Sequence, residues 1–476
     1  METTITDLWQ SAPMVSLTLT GLAALLIESM KGGRASAVYG LSLAGSVLAF
    51  VFSLWSLGSE VVVFNGMILQ GGYASYFNMV FTSSAFFTIV LSRPYMQRLH
   101  REQGVLYILI LFATVGMMLM ASAMDLIILF LGIELMSVCL YVLTGFVRTK
   151  LTSNESAIKY FLLGAFATGF LLYGIALIYG TAGTTNLKLI SQSFAQLSGN
   201  SLFLMGAGLL VIAFSFKVAA VPFHMWAPDV YEGAPTPVTA FMSTGAKAAA
   251  FAAFVTVFIR TFAITGTPIS EVIAFIAAAS MILGNVTAIA QSNLKRMLAY
   301  SSIAHAGYML SGIAAGSAEG ETGILFYLAA YTLMNMGAFG IISWVEQQDD
   351  TKLTFDDYAG FSAQRPLVAA MLSVFMFSLA GIPPFAGFFG KYYVFLAAVK
   401  ADLVWLAVIG VLTSVISVYY YLRLVMVMYF RDGNATIEER VPGFAFAVIG
   451  VVAGLVILLG LYPSLIVDIS KTFFKL

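Results

Sequence analysis

One cysteine and three histidines are spread over 476 residues. Cys139, His100, His224 and His305 are too few for an iron–sulfur cluster, a structural zinc site or a multi-haem array. Charge is scarce as well. Asp, Glu, Lys and Arg make up 10% of the chain, against about 25% in soluble domains. The net charge is zero, which argues against nucleic acid as a partner. No GxGxxG run opens a βαβ unit and no Walker lysine motif occurs. Nucleotide hydrolysis or hydride transfer by this chain alone is therefore not expected. The opening stretch METTITDLWQSAPMV has acids but no Lys or Arg, the wrong charge for a signal peptide, so the first helix should remain in the mature protein.

What the chain has instead is apolar surface. Hydrophobic residues make up 60% and the mean hydropathy is +0.93, the composition of an integral membrane protein. Runs of about 20 apolar residues each suffice to cross a bilayer. They predict helices near 10–30, 36–57, 74–92, 103–121, 124–146, 157–180 and 202–221. Further helices are predicted near 236–262, 270–290, 298–316, 322–345, 366–398, 403–430 and 444–462. The expected fold is all-α and polytopic, with about 14 spans and no soluble domain. The 42 glycines suit close helix packing in lipid.

Every second loop is basic. Lys31 and Arg34, then Arg93, Arg98 and Arg101, Arg148 and Lys150, Lys295 and Arg296, Lys352 and Arg365, and Arg431 and Arg440 fall on one side. That side is expected to be cytoplasmic, with both termini outside. One loop departs from the trend. The segment after the seventh helix holds Asp229 and Glu232 and no base, which suggests that it folds back into the protein.

That segment belongs to a polar, proline-broken island, FSFKVAAVPFHMWAPDVYEGAPTPVTAFMSTGAK, residues 214–247. Proline removes a backbone donor and clashes with the preceding turn, so a helix through Lys217 should break near Val221–Pro222. A second break is expected at Pro383–Pro384, in SLAGIPPFAGFFGKYYVF, with Lys391 seven residues on. The two breaks lie five helices apart, an odd offset that reverses chain direction. This predicts two inverted five-helix repeats, the usual architecture of secondary transporters. The expected divisions are residues 1–100, three N-terminal helices; 101–265, a first repeat; 266–432, a second, inverted repeat; and 433–476, a C-terminal helix.

A charge near the bilayer centre costs about 2.5–3.5 kcal/mol. Glu134, Lys217, Lys247 and Lys391 all lie deep in apolar runs, and Lys159 and Arg423 lie nearer helix ends. Such groups must face the bundle interior and pair, hydrate or discharge. Glu134 opposite Lys217 could tune that lysine's proton affinity by moving towards or away from it. Long lysines can instead snorkel near helix ends. That reading fits Lys159, where Glu155 at i−4 can pair with it, but fits Lys217 and Lys391 poorly. His305 and His224 are candidate relays or hydrogen-bonded packing residues. Arg260 and Arg423 read as interface anchors, and Glu28 as a partner of Lys31.

The island, together with SNLKRMLAYSSIAHAGYML at 292–310 and LAGIPPFAGFFGKYYVF at 379–395, closely resembles the antiporter-like membrane subunits of respiratory complex I, proton-pumping NADH:quinone oxidoreductase. The resemblance covers essentially the whole chain. Multisubunit cation/proton antiporters share the break and the lysines but differ after the W-x-P-D core, where this chain reads VYEGAPTPV. The resemblance implies a proton-translocating subunit in a bacterial inner membrane, driven by redox chemistry elsewhere. Glu134 with Lys217 would form a gating pair and Lys247 a central relay. Lys391 would face the exit, with Lys159 and His305 as auxiliary relays. It implies no cofactor in this chain. NADH, FMN, iron–sulfur clusters and quinone would belong to partner subunits, and the other partners would be membrane subunits and the lipid bilayer. Two alternatives stay open on the residues: a subunit of a gradient-driven cation/proton antiporter, and a structural membrane module.

Overall fold

The computed structural model describes residues 5–30, 35–346, 353–433 and 442–473. Lys31, Arg34, Lys352 and Arg440, counted above in the basic loops, lie outside the described residues. Among the described residues the chain is helical but for one hairpin, Val61–Val63 with Ile68–Gln70. Among the described residues, twelve helices are long and apolar enough to cross a membrane, from Ala12–Ser29 to Gly443–Leu461.

Two of the 14 expected spans stand apart from the twelve. Leu294–Ala315 has 22 residues, but its basic start, serines, tyrosines and His305 dilute its apolar content. The stretch near 366–398 is two 15-residue pieces, Pro366–Ala380 and Ala386–Lys400. The diprolines between them remove two backbone donors, and Gly381 ends the first piece at φ 82°, a conformation glycine adopts without strain.

The first break comes slightly earlier than proline alone predicts. The Ser201–Val218 helix closes with Ala219 in the left-handed region at φ 59°, and the Ala220 amide donates to the Ser215 carbonyl at 2.8 Å. A short helix, Trp226–Gly233, follows, and the chain then turns back into a continuous rod over Thr236–Thr261. The freed backbone groups find partners. The Val221 amide donates to Ser280 Oγ at 2.9 Å, and Trp226 Nε1 donates to the Phe216 carbonyl at 3.0 Å. This is the condition for irregular backbone inside a bundle.

Glycines set the closest helix contacts. Gly116 and Gly132 face each other between Gly104–Ser122 and Leu126–Thr144, and Gly174 faces Gly206 between Leu151–Ala182 and Ser201–Val218. Gly284 does the same for Pro268–Ile289 against Leu294–Ala315, where an added Cβ would stand 2.6 Å from the Ala304 amide nitrogen. Backbone cannot yield as a side chain can. Gly284→Val is expected to destabilise the chain by about 1–3 kcal/mol through overpacking, read as a lower unfolding temperature in detergent.

Candidate functional site

Lys217, Lys247, His305 and Lys391 are all inside the bundle, at 9%, 2%, 1% and 5% exposure. Lys217 is the penultimate residue of its half-helix, and its Nζ donates to Ser137 Oγ at 2.7 Å. Ser137 lies one turn beyond Glu134 on the Leu126–Thr144 helix, so the two share a face. Glu134 and Lys217 are not in ion-pair contact. Glu134 Oε1 instead accepts from the Thr168 hydroxyl at 2.7 Å.

Lys247 sits where the Thr236–Thr261 rod changes its winding. Met242–Ala246 and Val255–Thr261 are π-helical, and Lys247 starts the α-helical stretch between them. π-segments are rare and cluster at functional sites. Lys247 Nζ donates to the Ser302 carbonyl at 2.6 Å and to Ser302 Oγ at 2.5 Å. One turn on, His305 meets Tyr327 OH at 2.6 Å through Nδ1 and Tyr421 OH at 3.0 Å through Nε2. Tyr421 also bonds Ser301. A second strand of polar groups runs from Tyr420 through Asn285 to Tyr308, each contact 2.9 Å. The Tyr308 ring faces Lys391 Nζ at 5.0 Å.

Lys391 Nζ donates to the Ala380 carbonyl and to Ser414 Oγ, both at 2.8 Å. Ala380 ends the first half-helix, so the ammonium satisfies an orphan carbonyl created by the break. A cleft of about 680 Å³ opens beside it, between Ala386–Lys400 and Val404–Phe430. Lys391, Ser414 and Gly381 form its polar floor, and its other lining residues are apolar or aromatic.

Lys159 is elsewhere. It is part-exposed and pairs with Glu155 and Asp229, each at 2.7 Å. Asp229 and Glu232 both take Arg296 Nη1 at 2.8 Å, and Glu232 accepts from Asn293 at 3.1 Å. The acidic segment that seemed to lack a base thus finds its bases on two other helices. Glu155, Asp229, Glu232, Asn293 and Arg296 line a cavity of about 410 Å³. Glu28 accepts the Gly104 amide at 3.0 Å at the start of the Gly104–Ser122 helix, and its expected partner Lys31 lies outside the described residues. Arg260, expected to be an interface anchor, pairs at 2.5 Å with buried Glu321 and lies 3.9 Å over the Tyr73 ring. Arg423 donates to the Gln291 carbonyl at 3.5 Å and covers Phe355.

The sequence reading missed Ser137, Ser302 and Ser414, the partners of the three buried ammoniums, and the tyrosines around His305. It also missed the fully buried Lys295, which it counted in a loop. Hydroxyls are common in packed membrane helices, so no sequence signal marked these ones.

A broken-helix bundle with a line of buried ammoniums defines an antiporter-type membrane protein. The family model described as NADH:quinone oxidoreductase/Mrp antiporter, transmembrane region, matches residues 123–417. NADH-quinone oxidoreductase subunit N of Trichlorobacter lovleyi is 48% identical over 473 residues, 98% of this chain and 96% of that protein. The same subunit of Rhodospirillum rubrum is 44% identical over 462 residues, 96% of this chain and 94% of that one. The chain belongs to the NADH-quinone oxidoreductase subunit N family. Among solved structures, a chain of respiratory complex I from Thermus thermophilus with bound aureothin superposes with a TM-score of 0.84 at 34% identity, covering 96% of this chain and 98% of that one. A chain of the Mrp complex from Dietzia sp. DQ12-45-1b reaches 0.84 at 21% identity, covering 98% and 97%, and shares the fold.

Asp229 offers a test of the paired cluster outside the membrane-spanning helices. Burial alone would raise its carboxyl, but hydrogen bonds and charge from Lys159 and Arg296 outweigh it and hold the group below the ordinary carboxylate value. A depressed folded value stabilises above the unfolded one and is lost as pH falls through the folded one. Asp229→Asn should therefore lower the unfolding temperature at neutral pH. Its difference from the parent should close on acidification below about pH 4, measured by thermal unfolding in detergent.

Proposed function

We propose that this chain is a proton-translocating, non-redox membrane subunit of NADH:quinone oxidoreductase in a bacterial inner membrane, and that Glu134, Lys217, Lys247, His305 and Lys391 carry the proton. One contrast carries the residue assignment. Lys159, Arg260, Lys295 and Arg296 each have a carboxylate partner within 4 Å. Lys217, Lys247 and Lys391 are held by hydroxyls and carbonyls. A buried ammonium with neutral partners can give up its proton without stranding a counter-charge. Glu134 and Lys217 act as the gate, Lys247 as the central relay, His305 as the link and Lys391 as the exit. Lys159 sorts with the paired set, so its part is at the mouth of the path.

Two inverted five-helix repeats, over 101–265 and 266–432, fit the packing. Asp125 caps one helix and bridges Asn186; Asn293 caps another and bridges Thr354; the separation along the chain is the same. The glycine contact at Gly116 recurs at Gly284. On this reading Leu294–Ala315 and the two halves of 366–400 also cross, giving 14 spans, and the basic loops face the cytoplasm with both termini outside. The redox cofactors and quinone belong to partner subunits on this reading; one cysteine and three histidines are the wrong stock for iron–sulfur clusters. The gradient-driven antiporter alternative rests on the shared family model, break and lysines, against 21% identity to the Mrp chain and 48% to subunit N of Trichlorobacter lovleyi.

In vesicles holding equal amounts of assembled complex, Lys217→Ala should abolish most NADH-driven proton uptake attributable to this subunit. Glu134→Gln should lower it about tenfold or more, the scale of one lost proton-transfer group. Parental uptake in both variants would overturn the proposal.

A further inference from the structure

One buried ion pair lies off the proton line. Lys295 and Glu346 are each 0% exposed, and Lys295 Nζ stands 3.9 Å from Glu346 Oε1. Two charges taken out of water destabilise a fold unless further polar contacts meet them. Here both charges serve helix ends. Lys295 Nζ donates to the Ala234 carbonyl at 2.8 Å, and Ala234 caps the C-terminus of Trp226–Gly233. Glu346 Oε2 accepts from the Thr236 hydroxyl, and Thr236 is the first residue of the rod that carries Lys247. The cation meets the negative end of one helix dipole and the carboxylate the positive end of the other. Tyr95 OH adds a hydrogen bond to Oε1 at 3.2 Å.

Ala234, Pro235 and Thr236 form the joint at which the chain leaves the first break and turns back towards Lys247. The Leu294–Ala315 helix grips both sides of it. Arg296 holds Asp229 and Glu232 on the short helix, and Lys295 holds the joint itself. Two turns on from Lys295, on the same face, Ser302 holds Lys247. We infer that Lys295 and Glu346 are a positioning pair, which fixes the joint between the broken helix of Lys217 and the rod of Lys247 and so sets Lys247 against Ser302. They do not themselves pass the proton.

This inference rests on the proton-translocation reading. Its test uses the whole complex in inverted vesicles, with two readouts: the amount of assembled complex, and protons moved per electron from NADH. Glu346→Gln strands a buried ammonium and should lower assembly about tenfold. Lys295→Met with Glu346→Leu removes both charges at similar volume and should restore assembly, yet protons per electron should stay as far below the parental ratio as in Lys217→Ala or close to it. Thr236→Val keeps both charges and frees one side of the joint. It should assemble fully and also show a lowered ratio. A purely structural pair would give the parental ratio in every assembled variant, and that result overturns the inference. If the double variant fails to assemble, Thr236→Val decides alone: a lowered ratio supports the inference and a parental ratio overturns it. Lys217→Ala in the same membranes separates the two claims. If it pumps normally, the proton-translocation reading has failed, not the positioning.

Discussion

An ammonium ion inside a bundle must find a polar partner, and the kind of partner decides what the ammonium can do. A carboxylate neutralises it and holds it in place. A hydroxyl or a carbonyl satisfies its hydrogens but leaves the charge free to depart as a proton. This chain uses both solutions. The cations paired with carboxylates, Lys159, Arg260, Lys295 and Arg296, bind one element to another. Lys217, Lys247 and Lys391 are buried with hydroxyl and carbonyl partners, and serine, tyrosine, histidine and asparagine side chains cluster between Lys247 and Lys391.

The irregular backbone follows from the same need. An unbroken helix has no spare carbonyl to offer. The break at Gly381–Phe385 exposes the Ala380 carbonyl, and Lys391 takes it. The break after Val218 is closed by Ser280 and Trp226, which leaves Lys217 free to reach across to Ser137. The π-turns on either side of Lys247 alter the register of the Thr236–Thr261 rod. Glycine makes room at these sites. A Cβ on Gly381 would come within 3.1 Å of Lys391 Nζ. Prolines, glycines and π-turns thus supply partners and space that a regular bundle lacks.

Much of this was legible in the residues. Hydropathy placed most helix ends to within four residues, because crossing a bilayer dictates length and composition together, though Gly72–Arg98 and Leu151–Ala182 each run six residues beyond the expected bounds. The prolines announced both breaks, and a lone lysine in an apolar run cannot be accidental at that cost. What stayed hidden was identity of contact. Nothing about Ser302 distinguishes it from Ser311 two and a half turns away, yet one holds Lys247 and the other its own helix. The acids of the island looked unbalanced because their bases, Lys159 and Arg296, lie on other helices. Lys295 looked like a loop charge because a positive residue beside Arg296 is what a cytoplasmic loop contains; burial comes from Glu346, 51 residues on. Periodicity and charge counts report on one helix at a time, and these contacts are made between helices.

Neutral partners leave the buried ammoniums free to exchange protons. The most direct measurement supplies one of them with a counter-charge. Ser302→Asp places a carboxylate beside Lys247 while preserving a hydrogen-bond acceptor. NADH-driven proton uptake would be followed in vesicles with equal amounts of assembled complex. The account predicts that the proton is trapped as a stable ion pair, so assembly persists and uptake through this subunit falls sharply. Uptake at the parental rate, with the aspartate in place and the complex intact, would contradict it.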